Sequence, residues 1–200
     1  MKIKTFFDFI NEKDHSDEIG SYAETFLRDW TAGESSALRI LNKRVMSDLR
    51  ITLEKDEYVL YRGLKINDDW EVEKIFGKPF NKLKPGKASI TFDGPTSWTV
   101  DLDIANKFGN PYFDSFRGRY FSYNQILNMG YNDGDLLSFG LVIKAIIPKT
   151  KLIADLTNIK KIVKPKEKEM IVQSLDGFSV EILSKKEYLL NYTDSNRKTK

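Results

Sequence analysis

The chain has no cysteine, which excludes a disulfide framework, a thiol nucleophile and a thiolate metal site. Its single histidine, His15, lies in the polar run Asn11-Glu12-Lys13-Asp14-His15-Ser16-Asp17. A catalytic triad or a histidine-rich metal centre therefore lacks its material, and a solvated turn is the ordinary place for that ring. No apolar run approaches the roughly 18 residues that a membrane span needs. The opening ten residues begin like a signal peptide, but Asp8 interrupts the apolar stretch and no small-residue cleavage site follows. Neither a Gly-x-Gly-x-x-Gly after a strand nor a Walker-type phosphate loop occurs. A net charge of +3 is too small to argue for nucleic acid by itself. These absences predict a cytoplasmic protein with no membrane partner and no metal. They leave carboxylates, an arginine and hydroxyls to carry any chemistry.

What is present suits one folded unit. Two hundred residues, 40% hydrophobic and 12% aromatic, supply a sizeable core. We expect a single domain over 1–200, with 1–15 a leader and 191–200 a polar tail. Ser16 or Asp17 can cap a helix to about Trp30, with Ile19, Tyr22, Ala23, Phe26 and Leu27 on its buried face. Ser35 or Ser36 caps a second, with Leu38, Leu41, Val45 and Leu49 as its stripe. The period then changes to two. Tyr58–Arg62 reads as a strand ending at Gly63, and a short helix covers Asp68–Phe76. Ala88–Phe92 and Thr96–Val100 read as short strands, and Asp101 or Asp103 caps a helix through Phe108. Residues 109–135 read as an irregular aromatic segment. Leu136–Ile147 and Lys151–Leu156 are strands, followed by a lysine-rich loop, a strand from the Glu167–Val172 stretch and another over Ser179–Leu183. Helices first and strands after give an α+β fold.

Three stretches invite a chemical reading. In Lys166-Glu167-Lys168-Glu169-Met170-Ile171-Val172 two carboxylates stand at i and i+2 of an expected strand, so they share a face roughly 7 Å apart. Such a pair suits reaction through a cationic sugar. At Tyr61-Arg62-Gly63-Leu64 a guanidinium suited to phosphate or carboxylate adjoins a residue that lets a ligand approach the backbone. In Pro95-Thr96-Ser97-Trp98-Thr99 the hydroxyls of Ser97 and Thr99 can hold a carboxylate by hydrogen bonds. Each piece also has a plain reading: a solvated Lys/Glu edge, a surface arginine, a common edge-strand sequence. Together, in this order, they describe a site that cleaves the glycosidic bond of a phosphorylated nucleoside.

From about Trp30 to Leu183 the chain resembles the arginine-serine-glutamate class of mono-ADP-ribosyltransferases, which includes binary-toxin catalytic domains and small enzymes of large tailed bacteriophages. Thr31-Ala32-Gly33-Glu34-Ser35, Leu41-Asn42 and the strand ending Ile147-Pro148-Lys149 add to the likeness. The resemblance implies an ADP-ribosyltransferase-like fold of two packed, mostly antiparallel β-sheets with N-terminal helices. It implies NAD as co-substrate, with Arg62 on its phosphates and Gly63 backbone groups on the nicotinamide amide. Ser97 would orient Glu169, the carboxylate that stabilises the oxocarbenium-like transition state, and Glu167 would position or deprotonate the acceptor. Thr99, Phe108 and Asn42 complete the implied cofactor-binding set.

A glutamate at position 167 goes, in that family, with arginine acceptors, so the implied partner is a host protein with an accessible arginine. The setting would be a bacterial cytoplasm, with packaging in the virion if the leader-like N-terminus serves that end. Two departures stand out: the middle of the usual Ser-Thr-Ser is Trp98, and the loop before Glu167 carries Lys160, Lys161, Lys164 and Lys166 in place of an aromatic. With the aromatic and arginine-bearing stretch Tyr112–Tyr123, those lysines make RNA or DNA an alternative acceptor. Water as acceptor gives NAD glycohydrolysis, and a non-catalytic basic binding module is the reading from a different class.

Overall fold

The computed structural model describes residues 18–114, 118–159 and 168–191. The expected leader, the lysine-rich loop from 160 onward, Glu167 and all but the first residue of the expected tail lie outside the described residues.

Helix α1 spans Ser21–Thr31 and buries Ala23, Phe26 and Leu27, the i, i+3, i+4 stripe of an amphipathic helix. Gly33, at φ 75°, takes the left-handed turn after it. The single second helix expected from Ser35 to Leu49 is instead two, α2 (Ser36–Ile40) and α3 (Lys43–Leu49). Leu41 is extended, and the Asn42 side-chain oxygen accepts from the Arg44 and Val45 amides at 3.0 and 3.1 Å. A strong N-cap in mid-pattern thus restarts the helix and re-aims its stripe. Ala37, Val45 and Leu49 are buried, whereas Leu38 is 53% exposed. Tyr22, expected on the core face of α1, is 65% exposed.

Strand β1 runs Glu57–Ile66 and does not end at Gly63, which pairs with Val142 well inside the ladder. Helix α4 (Asp69–Phe76) closes on Gly77 in the left-handed conformation. Strands β2 (Gly86–Phe92) and β3 (Thr96–Thr99) follow, then α5 (Leu102–Phe108), capped by Asp101 through the Asp103 and Ile104 amides. The stretch expected to be irregular holds a small hairpin, β4 (Phe113–Asp114) with β5 (Arg119–Tyr120), and α6 (Tyr123–Leu127). Helix α6 starts at a reciprocal Ser122/Gln125 capping box, a signal local enough to be missed beside so many aromatics. The last strands are β6 (Leu136–Pro148), β7 (Leu152–Asp155), β8 (Glu169–Val172) and β9 (Leu175–Leu189).

The fold is α+β, with a large antiparallel sheet and a small one. The large sheet has seven strands in the order β2-β9-β6-β1-β3-β8-β7; the small one is β4-β5. The two packed sheets that the resemblance implies are joined here as one continuous ladder, but its continuity is slender. Strands β1 and β3 meet at a single residue pair, Tyr61 with Thr99, whereas β1 and β6 pair along their whole length. A four-stranded blade (β2-β9-β6-β1) and a three-stranded blade (β3-β8-β7) thus share one joint. The main core draws on both, including Leu60, Leu64, Leu141 and Ile182 from the first and Trp98, Leu152, Met170 and Val172 from the second. On the other face of the smaller blade, Ile153 and Ile171 pack with Phe26, Leu27, Val45 and Leu49 of the helical layer. Among the described residues no helix is long and apolar enough to cross a membrane.

Candidate active site

The joint between the blades is where the candidate residues meet. Beyond Tyr61–Thr99 the strands part, and the Arg62 guanidinium enters the wedge, its Nη1 donating to the backbone oxygen of Ser97. Its charge lies over the Phe92 ring, 5.2 Å from the centroid, a cation–π contact. The Nε of Arg62 is buried with no hydrogen-bond partner among the described residues. Burial pushes the guanidinium down to about 10, against an upward pull from the Glu169 carboxylate. It remains a cation at neutral pH, held ready for an anion.

Glu169 opens β8. In the β3–β8 ladder Thr99 stands opposite Glu169, and Ser97 stands opposite Ile171. Ser97 and Glu169 are diagonal neighbours on one face, and the Ser97 hydroxyl donates to Glu169 Oε1. The indole of Trp30, at the end of α1, donates to the same oxygen at 2.8 Å. Oε2 makes no hydrogen bond among the described residues. One oxygen is held from two sides, and the other has no partner among the described residues.

These groups surround a cavity of about 220 Å³ lined by Arg62, Gly63, Ser97, Thr99, Phe108 and Glu169, with Tyr61, Trp98, Ile104 and Ala105 completing the wall. A larger hollow, about 690 Å³, adjoins it through Ser97, Phe108 and Glu169 and extends along Trp30, Ser35, Leu38 and Pro95. The role of Gly63 differs from the sequence expectation in part. It does line the cavity, yet it is glycine because helix α5 presses on it. A Cβ there would lie 2.0 Å from the Ala105 carbonyl oxygen and 2.4 Å from the Gly109 nitrogen. Phe108 ends that helix and packs edge-on against Phe113, ring centroids 5.9 Å apart.

Asn42 stands apart. Its side-chain oxygen caps α3, and it lines neither hollow. Glu167 lies outside the described residues, and the alternation invoked for the two carboxylates does not reach back to it. Strand β8 begins at Glu169, and Lys168 before it has φ 46°, a left-handed conformation rather than an extended one. The unusual Trp98 has a structural explanation. Its ring is 2% exposed in the main core, with its indole donating to Thr96 Oγ1 at 3.0 Å, so a bulky middle residue leaves the two flanking hydroxyls in place.

Sequence reasoning missed Trp30 and Phe92 as members of the site. Trp30 follows Phe26 by four residues and so belongs to the buried side of α1, but nothing local places that helix end beside β8. The chain was also compared with family models, curated proteins and solved structures, and it matches none of them.

Proposed function

We propose that the protein is a mono-ADP-ribosyltransferase that breaks the nicotinamide–ribose bond of NAD and transfers ADP-ribose to an acceptor, an arginine of a host protein before others. The observation that carries this reading is the meeting, in one cavity, of a cation that forms no ion pair with a carboxylate among the described residues, an aromatic and a carboxylate fixed by a hydroxyl. The ADP-ribosyltransferase-like fold belongs to the same proposal; two antiparallel blades with helices laid on one of them agree with it.

Arg62 would bind the pyrophosphate, since its charge is desolvated and its Nε has no acceptor among the described residues. Phe108 would cover the nicotinamide side. Glu169 would accept a ribose hydroxyl on its open oxygen and stabilise the positive charge that grows on the ribose as the C1′–N bond lengthens. The bonding pair of that C1′–N bond leaves with nicotinamide, which departs neutral. An acceptor nitrogen then forms the new bond to C1′ and gives up one proton, the role assigned to Glu167.

Nicotinamide release from NAD tests the reading. Wild-type protein releases nicotinamide, and Glu169→Gln lowers the rate by about 10²–10⁴-fold, the range of acid/base and charge-stabilising groups. Glu169→Gln at the wild-type rate, or no release by wild type, refutes it; the latter is what a non-catalytic binding module would give. Mass spectrometry of a bacterial extract treated with labelled NAD then separates arginine from water and from nucleic acid as acceptor. Tyr112, Tyr120, Phe121 and Tyr123 pack together around Ile126, Leu137 and Leu190, so these rings are engaged in a core rather than free to stack on bases. That favours protein over RNA or DNA.

A further inference from the structure

We propose that Trp30 is a positioning residue for Glu169, fixing which of its two carboxylate oxygens faces the cavity. In its catalytic consequence the proposal rests on the function proposed above; in its geometry it stands alone.

Glu169 is the first residue of its strand and follows a left-handed Lys168. A glutamate at such a strand end has several accessible rotamers, and selecting one costs conformational entropy. Two donors on other elements make the selection. The Ser97 hydroxyl comes from β3 in the same sheet, and the Trp30 indole comes from the helical layer on that face. Both bond Oε1, so the carboxylate is gripped at one oxygen from two directions and its rotation about the terminal bond is blocked. Oε2 is then the oxygen left for substrate.

The two donors are not equivalent. A hydroxyl can rotate and can accept as well as donate, so Ser97 alone would also tolerate a turned carboxyl. An indole N–H only donates, along a direction set by the ring. Its bond to a carboxylate oxygen is stronger than a neutral bond. The ring in turn is set by its surroundings. Trp30 packs on Phe26, with ring centroids 5.8 Å apart and planes at 30°, and is partly buried against the cluster that joins the helical layer to β7 and β8. It lines the larger hollow but not the smaller cavity, where Arg62 and Gly63 lie. Substrate in the smaller cavity would thus meet a carboxylate already aimed, touching Ser97 but not Trp30.

Trp30→Phe keeps the packing and removes the N–H. The expected result in nicotinamide release is a fall in kcat of about tenfold, equivalent to ~1.4 kcal/mol, with KM for NAD changed by less than about twofold. An unchanged kcat overturns the proposal, and so does a rise in KM that accounts for the whole effect. The second measurement needs no activity. The chain has three tryptophans, and the Trp30 indole 1H–15N resonance, assigned by its loss in Trp30→Phe, moves in Glu169→Gln protein without NAD. A resonance that stays put overturns the contact itself. If wild-type protein releases no nicotinamide, the functional reading and the catalytic role fail together, and the indole resonance alone decides whether Trp30 holds Glu169.

Discussion

Gly63→Ala is the sharpest probe of how the fold makes room for the site. The added Cβ would meet the Ala105 carbonyl oxygen at 2.0 Å, the Gly109 nitrogen at 2.4 Å and the Phe108 carbonyl carbon at 2.9 Å. All three are backbone atoms at the end of α5, so no rotamer change relieves the clash. Ordinary contact begins at 3.4 Å, and the helix end must retreat by about 1.4 Å to reach it. Overpacking of a core position costs ~1–3 kcal/mol and occasionally more; a backbone obstacle places this case at the upper end. For a chain of this size each kcal/mol is worth roughly 2–4 °C, so a ~3 kcal/mol loss lowers Tm by about 6–12 °C. Ala105 and Phe108 line the cavity, so the retreat also widens it and raises KM for NAD. Thermal melting followed by circular dichroism reads the first effect and nicotinamide release the second. Gly77→Ala is the control, since Gly77 has φ 69° and nothing within 4 Å of its Cβ position. It pays only left-handed strain, ~1–2 kcal/mol, with no effect on the cavity. A Gly63→Ala protein that melts with wild type refutes the close-approach reasoning.

Two further perturbations separate charge from shape. Arg62→Lys keeps a cation but loses the planar fork that reaches both Ser97 and a bidentate anion, and weakens NAD binding by about tenfold in calorimetric titration (~1.4 kcal/mol); equal affinity would show that a point charge suffices. The Lys168 ammonium, 2.9 Å from Asp101, holds that carboxyl below its ordinary value of 3.8, with the Ile104 and Asp103 amides assisting against the cost of burial. Because the folded-state value lies below the unfolded one, this stabilisation is full above pH 3.8 and disappears as pH falls through the lower folded value. Asp101→Asn retains a good helix cap and removes only the charge. Wild type therefore exceeds it by less than ~1 kcal/mol in urea unfolding at neutral pH, an exposed ion pair being worth little, and the two converge in strong acid. A gap that persists in acid would assign the effect to the cap.

The parts of the molecule legible in the sequence were those governed by local rules. Helix α5 with its Asp101 cap, the long β6 stopped by Pro148 and α4 between Asp68 and Gly77 all follow from capping and periodicity. Arg62, Ser97 and Glu169 were readable as a set because each sits on a strand and their types make sense together. What escaped depends on long-range packing or on a local signal that competes with the pattern. The helical stripe through Leu38 failed because Asn42 offered the backbone a competing cap. The strand end expected at Gly63 failed because glycine there answers a helix 42 residues further along at Ala105, not a turn. The carboxylate doublet failed as a strand pattern because Lys168 leaves the extended region. Of these, only the conflict at Gly63 has a partner, Ala105, that no short window of sequence contains.

The position of the site follows from the weakness of the sheet at that point. Had β1 and β3 paired along their length, Arg62 and Gly63 would have faced Trp98 and Ser97 across a closed ladder, with the backbone groups mutually satisfied and no wedge between them. Because pairing stops at Tyr61 and Thr99, a side chain takes over the cross-strand bond, from Arg62 to the Ser97 carbonyl, and the space so opened becomes the cavity. The same joint is then braced from outside the ladder. Trp30 ties the helical layer to Glu169, and Lys168 ties the entry of β8 to Asp101 at the head of α5. Each brace ends on a residue at or beside the open carboxylate. A sheet parted without those braces would let the two blades shift against each other and move Glu169 relative to Arg62. The long-range contacts that the sequence concealed are thus the ones that keep the separated strands in register around the cavity.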